Sequence, residues 1–376
     1  MQARIADSIG DFDRLAWNSL AGPGYPFLSH EFLLAAERSG SASAESGWTP
    51  RHIGLYDQDR LVAALPLYEK THSWGEFVFD WSWAHAYERA GLNYYPKLIS
   101  AVPFTPAASR RLLATSEDQK ARLLDEARTL MADSGCSSLH ILFPEDSEIG
   151  TLESAGFKIR KDCQFHWHNR GYRDFDDFIS TFSSAKRKKV RRERRRVTEQ
   201  GIRFRHLRGG EADTTVWKDV YELISITFLR RGSLPYFSLE FFEEISERIP
   251  DNLLLVIAEK NRQSIAAAVF YDIDDALYGR YWGADAHYNA LHFETCYYQG
   301  IDHCIAHKRQ RFEPGTQGEH KISRGFVPVN TWSAHWLKRP EFFSAVERYL
   351  QEEGRHIDHY VDTVNAHSPY KREQAP

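Results

Sequence analysis

Residues 252–288 read NLLLVIAEKNRQSIAAAVFYDIDDALYGRYWGADAHY. An apolar run, a polar turn, a second apolar run, a second turn and an aromatic run follow one another. That order predicts three successive strands. The same order occurs earlier, in RHIGLYDQDRLVAALPLYEK (51–70) followed by WGEFVFDWSWAHAY (74–87), with Asp57-Gln58-Asp59 at the first turn. The copies keep register. Val62 and Ile265 are 203 positions apart (265 − 62), and Tyr87 and Tyr288 are 201 apart (288 − 87). A spacing this long predicts a duplicated folding unit rather than a short repeat.

Working outward, the segments between these strand groups carry helical spacing. Residues 1–50 read as helix, loop and helix, with GPGYPFLS as the loop. SEDQKARLLDEARTLMADSG is amphipathic and stops at Gly135; CSSLHILF reads as a buried strand; TLESAGFKIR is a helix then a strand. EADTTVWKDVYELISITFLRR, FSLEFFEEISERI and ETCYYQGIDHCIAHK predict helices, RFEPG a strand, and residues 335–364 a long C-terminal helical region. Helices and strands alternate, so the fold class is α/β with mixed sheets. The expected division is an N-terminal unit 1–165 and a C-terminal unit 166–376.

The chain has 376 residues, 42% hydrophobic and 27% charged, and a net charge of −4. These values suit globular domains and argue against general nucleic-acid coating. Cys136, Cys163, Cys296 and Cys304 form no CxxC pair and no zinc spacing, so reduced thiols in a cytoplasmic protein are expected. The N-terminus lacks an apolar core, and no apolar run approaches membrane-spanning length, so neither a signal peptide nor a membrane span is expected.

Against that balance, SSAKRKKVRRERRR (183–196) stands out. From Lys186 to Arg196 it carries nine Lys/Arg and one Glu, a local charge of +8 (9 − 1). Ser183 or Ser184 caps the start and Gly201 stops the end, which predicts a helix over 184–200. Cations in the first turn oppose the helix dipole unless an anion docks there. The readings are a solvated face, a localisation-type patch, or a dock for a phosphate-rich ligand such as a tRNA backbone or a nucleotide-linked substrate. Lys186, Arg187 and Arg191 are the expected phosphate binders.

Three other clusters carry chemistry. In LHFETCYYQG, His292, Glu294 and Tyr298 face one cleft if the helix starts there, and its dipole would keep a first-turn Glu294 ionised. In FEPGTQGEHKISRGF, Gln317, Glu319, His320 and Lys321 crowd an irregular turn at Pro314, Gly315 and Gly318, as where a backbone approaches a ligand. In DWSWAHAYERAGLNYYPKL, Trp83, His85, Tyr87, Tyr94, Tyr95 and Lys97 read either as core or as the wall of a binding cleft. A metal at Glu319, His320 and His292 is not expected, because HExxH is absent. GxSxG, GxxxxGK[ST] and GxGxxG are also missing, and the usual acetyl-CoA loop is not cleanly present.

Together, GEFVFDWSWAHAYERAGLNYYPKL, QFHWHNRGYRDFDDFISTFSSAKRKKVRRERRRV, YGRYWGAD, LHFETCYYQGI and FEPGTQGEHKISRGFVP resemble the FemAB-like peptidoglycan biosynthesis/recognition family, whose members are predicted N-acyltransferases of the GNAT superfamily. The resemblance runs from about Trp17 to Leu350. It implies two tandem GNAT-like units, in agreement with the duplication. It also implies transfer of an aminoacyl group from tRNA to the amine of a nucleotide-linked or small-molecule acceptor, with no permanently bound cofactor. Acid–base or amine-orienting roles then fall to Glu294, Tyr298, Glu319 and His320. Substrate contacts fall to Trp83, His85, Tyr87, Tyr95, Lys97, His292, Gln317, Lys321 and the basic helix. Two alternatives stay open: a donor that is acyl-CoA or a carrier-protein thioester, and a non-catalytic RNA-binding protein.

Overall fold

The computed structural model describes residues 1–316 and 318–371. It divides into two compact units, Met1–Cys163 with Asn330–His359, and Gln164–Val329 with the residues from Tyr360 on. The first break falls after Cys163. The return of residues 330–359 to the first unit is not expected from 1–165 and 166–376. Its cause is the strand Val327–Leu337, whose later residues Ser333–Leu337 pair antiparallel with Leu142–Ser138.

In the first unit, Gln2–Ala6, His52–Asp57 and Arg60–Leu65 form a small antiparallel sheet. The expected hairpin is present, turning at Gln58 in the left-handed region (φ 55°). A second sheet runs through Trp48–Pro50, Tyr68–Lys70, Lys97–Ser100, Ser138–Leu142 and Ser333–Leu337. Lys97–Ser100 and Ser138–Leu142 are parallel, so a crossover must join them; it contains the helix Glu117–Asp133, which Ser116 caps. Strand alternation sorts the sheet into two faces. Leu98, Leu139, Ile141 and Ala334 enter an apolar core against Leu123, Leu124 and Ala127 of the crossover helix. Lys97, His140 and His335 occupy the other face, beneath the buried rings of Trp83 and Tyr94.

WGEFVFDWSWAHAY does not form the aromatic strand that its sequence order predicts. Residues 74–80 are a loop, and Trp81–Arg89 is a helix. The long C-terminal helix begins only at Pro340, after the strand. Gln2–Ala6 is an unexpected strand at the start of the chain.

The second unit builds its sheet in the order Lys158–His168, Arg311–Glu313, Ala276–Ala284, Gln263–Asp272, Leu253–Lys260, Arg203–Arg208. The last four are antiparallel neighbours. Arg311–Glu313 lies parallel to Ala276–Ala284 but pairs with it only from Ala276 to Tyr278. Among the described residues, no strand pairs with that edge from Gly279 onward, where Pro314 and Gly315 (φ 95°) turn the partner chain away. The helix Thr214–Leu229 packs on the strand at Gly283, where a Cβ would come within 2.0 Å of the Leu223 carbonyl oxygen.

Candidate functional site

The site grows from the divergence of these two parallel strands. After Ala284 the chain loops to Ala290 (φ 66°), then enters the short helix Leu291–Phe293, a π-helical turn Glu294–Tyr298, and the helix Gln299–Ala306. A π-helical turn inserts a residue and is frequent at functional sites. Here it sends successive side chains in different directions. His292 and Phe293 face a cavity of about 400 Å³ that Arg230, Arg231, Trp282 and Tyr288 also line. The cavity therefore sits beside a strand's carboxyl end and a helix start, where α/β folds commonly bind ligands.

His292 stands among aromatic neighbours: Trp282 and Tyr297 at 5.3 Å between ring centroids and His320 at 6.1 Å. Burial, aided by the charges of Arg324 and Lys321, pushes its pKa down to about 4, so the ring is neutral at physiological pH. His320 is pushed down too, by burial first and Arg324 next, and its Nε2 lies 2.8 Å from the Tyr297 hydroxyl. Lys321 is 1% exposed and donates to the Gly315 carbonyl at 2.6 Å. Burial and the nearby Arg280 charge bring its pKa to about 7, so protonated and neutral amine coexist near neutral pH.

The other catalytic candidates do not join this group. Glu294 and Tyr298 turn toward the basic helix, Ser184–Glu199. Arg194 donates to Glu294 at 3.0 Å and to Asp302 at 2.6 Å while lying 4.2 Å over the Phe175 ring. Glu294 is not the dipole-ionised first-turn acid that the sequence suggests. It is buried, burial raises its pKa against the opposing pull of Arg194, and its Oε2 has no hydrogen-bond partner. The buried Tyr298 hydroxyl donates a hydrogen bond to Glu193 at 2.5 Å, which turns it toward the basic helix. Glu319 is exposed and accepts from Tyr360 at 3.2 Å. Gln317 lies outside the described residues.

The basic helix has two faces. The acid within its basic run, Glu193, turns inward and accepts from Arg324 at 2.8 Å, and Arg324 in turn covers Phe293 at 3.4 Å. Val190 and Val197 share that buried stripe. Lys188, Arg191, Arg192, Arg195 and Arg196 face solvent. Of the expected phosphate binders, Arg191 pairs with Asp176 at 2.8 Å, Arg187 reaches the Ser180 carbonyl at 3.3 Å, and Lys186 is half-buried. Lys188, Arg192, Arg195 and Arg196 were not singled out from the sequence. The spacing i, i+4, i+7 and i+8 from Lys188 puts them on one face, and laying the run on a helix shows it.

In the first unit, the aromatic cluster is built around a buried ion group. Lys97 is 0% exposed and donates to Glu76 at 2.8 Å, to Ser73 at 2.9 Å and to Asp80. Burial opposes its charge, and Asp80 and Glu76 outweigh that, so its pKa rises. Burial pushes Glu76 up to about 7, whereas the Lys97 charge overcomes burial at Asp80 and holds it at about 2. Tyr94 donates to Asp80 at 2.6 Å, and Tyr95 meets Ser73 at 2.8 Å. Trp83 and Tyr87 point inward from the helix Trp81–Arg89, and His85 points to solvent between them. These residues form packing, not an open cleft wall. Among the described residues, no His/Cys/Asp/Glu group is arranged to hold a metal ion, and no helix is long and apolar enough to cross a membrane.

No curated protein matches the sequence. Three solved structures share its fold at low identity. FemX has a TM-score of 0.56 at 12% identity, covering 92% of this chain and 100% of its own. The C-terminal domain of a putative lysylphosphatidylglycerol synthetase from Agrobacterium fabrum has 0.54 at 9%, covering 90% and 96%. L-PGS from Bacillus licheniformis has 0.50 at 11%, covering 85% and 96%. The fold is mixed α/β, as the sequence predicts, and is shared with FemX. Residues 8–372 match the FemAB-like family of peptidoglycan biosynthesis/recognition, and the chain belongs to that family.

Proposed function

We propose that the protein is an N-acyltransferase that moves an activated aminoacyl group from tRNA to a primary amine. One observation carries the reading. The helix that shows four or more cations to solvent is tied by its inward residues, Glu193 and Arg194, to the helix that opens the cavity. A phosphate backbone on the outer face would bring the aminoacyl end to the divergent strands.

In this reading the amine nitrogen attacks the acyl carbon, and strand N–H groups beyond Gly279 stabilise the oxyanion. Collapse forms the amide and expels the ribose oxygen, which takes a proton. Lys321, with a pKa of about 7, is the favoured group to accept the amine proton, with His320 and Tyr297 beside it. The acceptor is a small or nucleotide-linked amine, and a tRNA donor makes the reaction cytoplasmic.

A second reading, with a thioester donor, draws on Arg230 and Arg231 at the cavity, where a pyrophosphate would find cations. Fluorescence anisotropy with charged and uncharged tRNA, with acetyl-CoA as competitor, separates the two. The tRNA reading expects tighter binding of charged tRNA. It also expects changing Arg192, Arg195 and Arg196 together to Gln to flatten the log-affinity against log-salt slope by about 2–3. Weak binding that ignores charging, with acetyl-CoA bound on its own, would replace tRNA by a thioester. Tight tRNA binding with no transfer to any amine would leave an RNA-binding protein.

A further inference from the structure

The loop 71–82 of the first unit is inside out. Loops commonly turn carboxylates to water and aromatic rings inward. Here both carboxylates, Glu76 and Asp80, are buried on Lys97, while Trp74 is 66% exposed and Phe79 53%. Trp81 is half-exposed, with its ring 5.2 Å from Trp74 at 62°. Burying an ion group is an expensive way to hold a loop. Its effect on the surface is to remove both negative charges and to fix the aromatic rings from beneath.

What remains outside is aromatic and uncharged. Thr71 and Ser82 expose hydroxyls. His72 is half-buried and held neutral by burial and the Lys70 charge, and Lys70 itself is 0% exposed. Of the cations that touch the loop, Lys97 and Lys70 do so from the buried side, Lys70 donating to the Trp74 carbonyl at 3.3 Å, and Arg160 donates to the Phe79 carbonyl at 2.7 Å and is paired with Glu353. A membrane-binding loop would pair its aromatics with lysines and arginines facing anionic lipid, and a nucleic-acid surface would need the same cations. A neutral face of indole rings and hydroxyls fits a neutral sugar. The ring faces are electron-rich and attract the polarised C–H bonds of a pyranose, and the hydroxyls meet its polar edge.

We propose that Trp74, Trp81 and Phe79 form a platform for a neutral saccharide, with Trp74 as its anchor. The proposal deepens the acceptor side of the transfer reading and rests on it only for the amine that the saccharide-bearing molecule would carry. Binding itself needs no transfer.

The test is titration of the full chain with N,N′,N″-triacetylchitotriose, followed by ligand-observed NMR, which does not depend on the indole that is replaced. Saturable binding is expected, weakened about tenfold or more by Trp74→Ala and less by Phe79→Ala. Leu15→Ala, an exposed apolar change elsewhere, should leave it intact. Circular dichroism verifies that each variant is folded. Absence of saturation up to about 10 mM, or equal affinity in Trp74→Ala, overturns the proposal. Co-sedimentation with phosphatidylcholine/phosphatidylglycerol vesicles that is lost in Trp74→Ala also overturns it, in favour of lipid. Acyl transfer assayed separately by mass spectrometry tells the two ideas apart. Transfer without saccharide binding sinks only the platform, and saccharide binding without transfer sinks only the enzymatic reading.

Discussion

Each unit contains a pair of parallel strands joined by a helical crossover, and the two pairs end differently. In the second unit, Ala276–Ala284 loses its partner after Tyr278, and a cavity lies beside the exposed stretch. In the first unit, the chain that leaves Ser100 folds back over the strand ends, so that residues 101–107 are all buried. Arg111, 0% exposed, donates to the Leu142 carbonyl at 2.7 Å and to the Ala107 carbonyl at 3.0 Å, and Glu148 accepts from the backbone N–H groups of Arg111 and Leu112. One copy of the fold keeps its strand ends open, and the other fills them with its own chain. In the proposed function, the second unit carries the chemistry and the first supports it.

Both copies also bury a lysine whose pKa burial brings to about 7: Lys321 in the second unit and Lys70 in the first. Substitutions at four positions test whether the division of labour is real, in decreasing order of effect. Lys97→Met strands Glu76 and Asp80 without their cation, and a loss of about 3–5 kcal/mol is expected in urea unfolding. A loss under about 1 kcal/mol would mean that the carboxylates reach water and the first unit is not a sealed support.

Next, Lys321→Met should lower the proposed transfer by about 10²–10⁴-fold. The wild-type rate should climb as pH passes through about 7, because the neutral amine is the active form. Lys321→Arg, always charged, should abolish that limb. Lys70→Met should leave the limb in place, and a matching loss at Lys70 would erase the distinction between the units. Stability carries the same sign. Lys321 has its pKa lowered from 10.5, so the unfolded chain binds more protons between about 7 and 10.5, and its penalty on folding fades as pH rises through that window.

The smallest effect is expected for His85→Ala, within about 0.5 kcal/mol and with no change in transfer, since the ring faces solvent. A larger change would return it to the binding residues.

The hairpins were legible because polar turns separate continuous apolar runs such as VAALPL and AAAVFY, which are buried almost throughout. The returning strand was not, since VPVNTWSAHWL abuts a helix with stronger periodicity, and pairing across nearly 200 residues leaves no local mark. Residues 74–80 misled because their aromatics imitate a strand while the carboxylates, not the rings, go inward. At the site, the sequence suggests that Glu294 and Tyr298 face one cleft with His292, and the structure turns them to the basic helix instead. Their direction depended on Glu193 and Arg194, about a hundred positions away. The inserted residue of the π-helical turn gave His320 to Tyr297 rather than Tyr298, and no sequence pattern announces such a turn.

Gly283 has one further consequence. Its hydrogen is all that separates the strand from the main chain of Leu223 and Ile224, and the helix carrying those residues leads on to Thr227 and Arg230 at the cavity. The gauge of the cavity is thereby set by an omitted methyl group. Alanine at this position would act as a shim: the helix must retreat, and Arg230 with it, so the opening would widen although no residue lining it had changed.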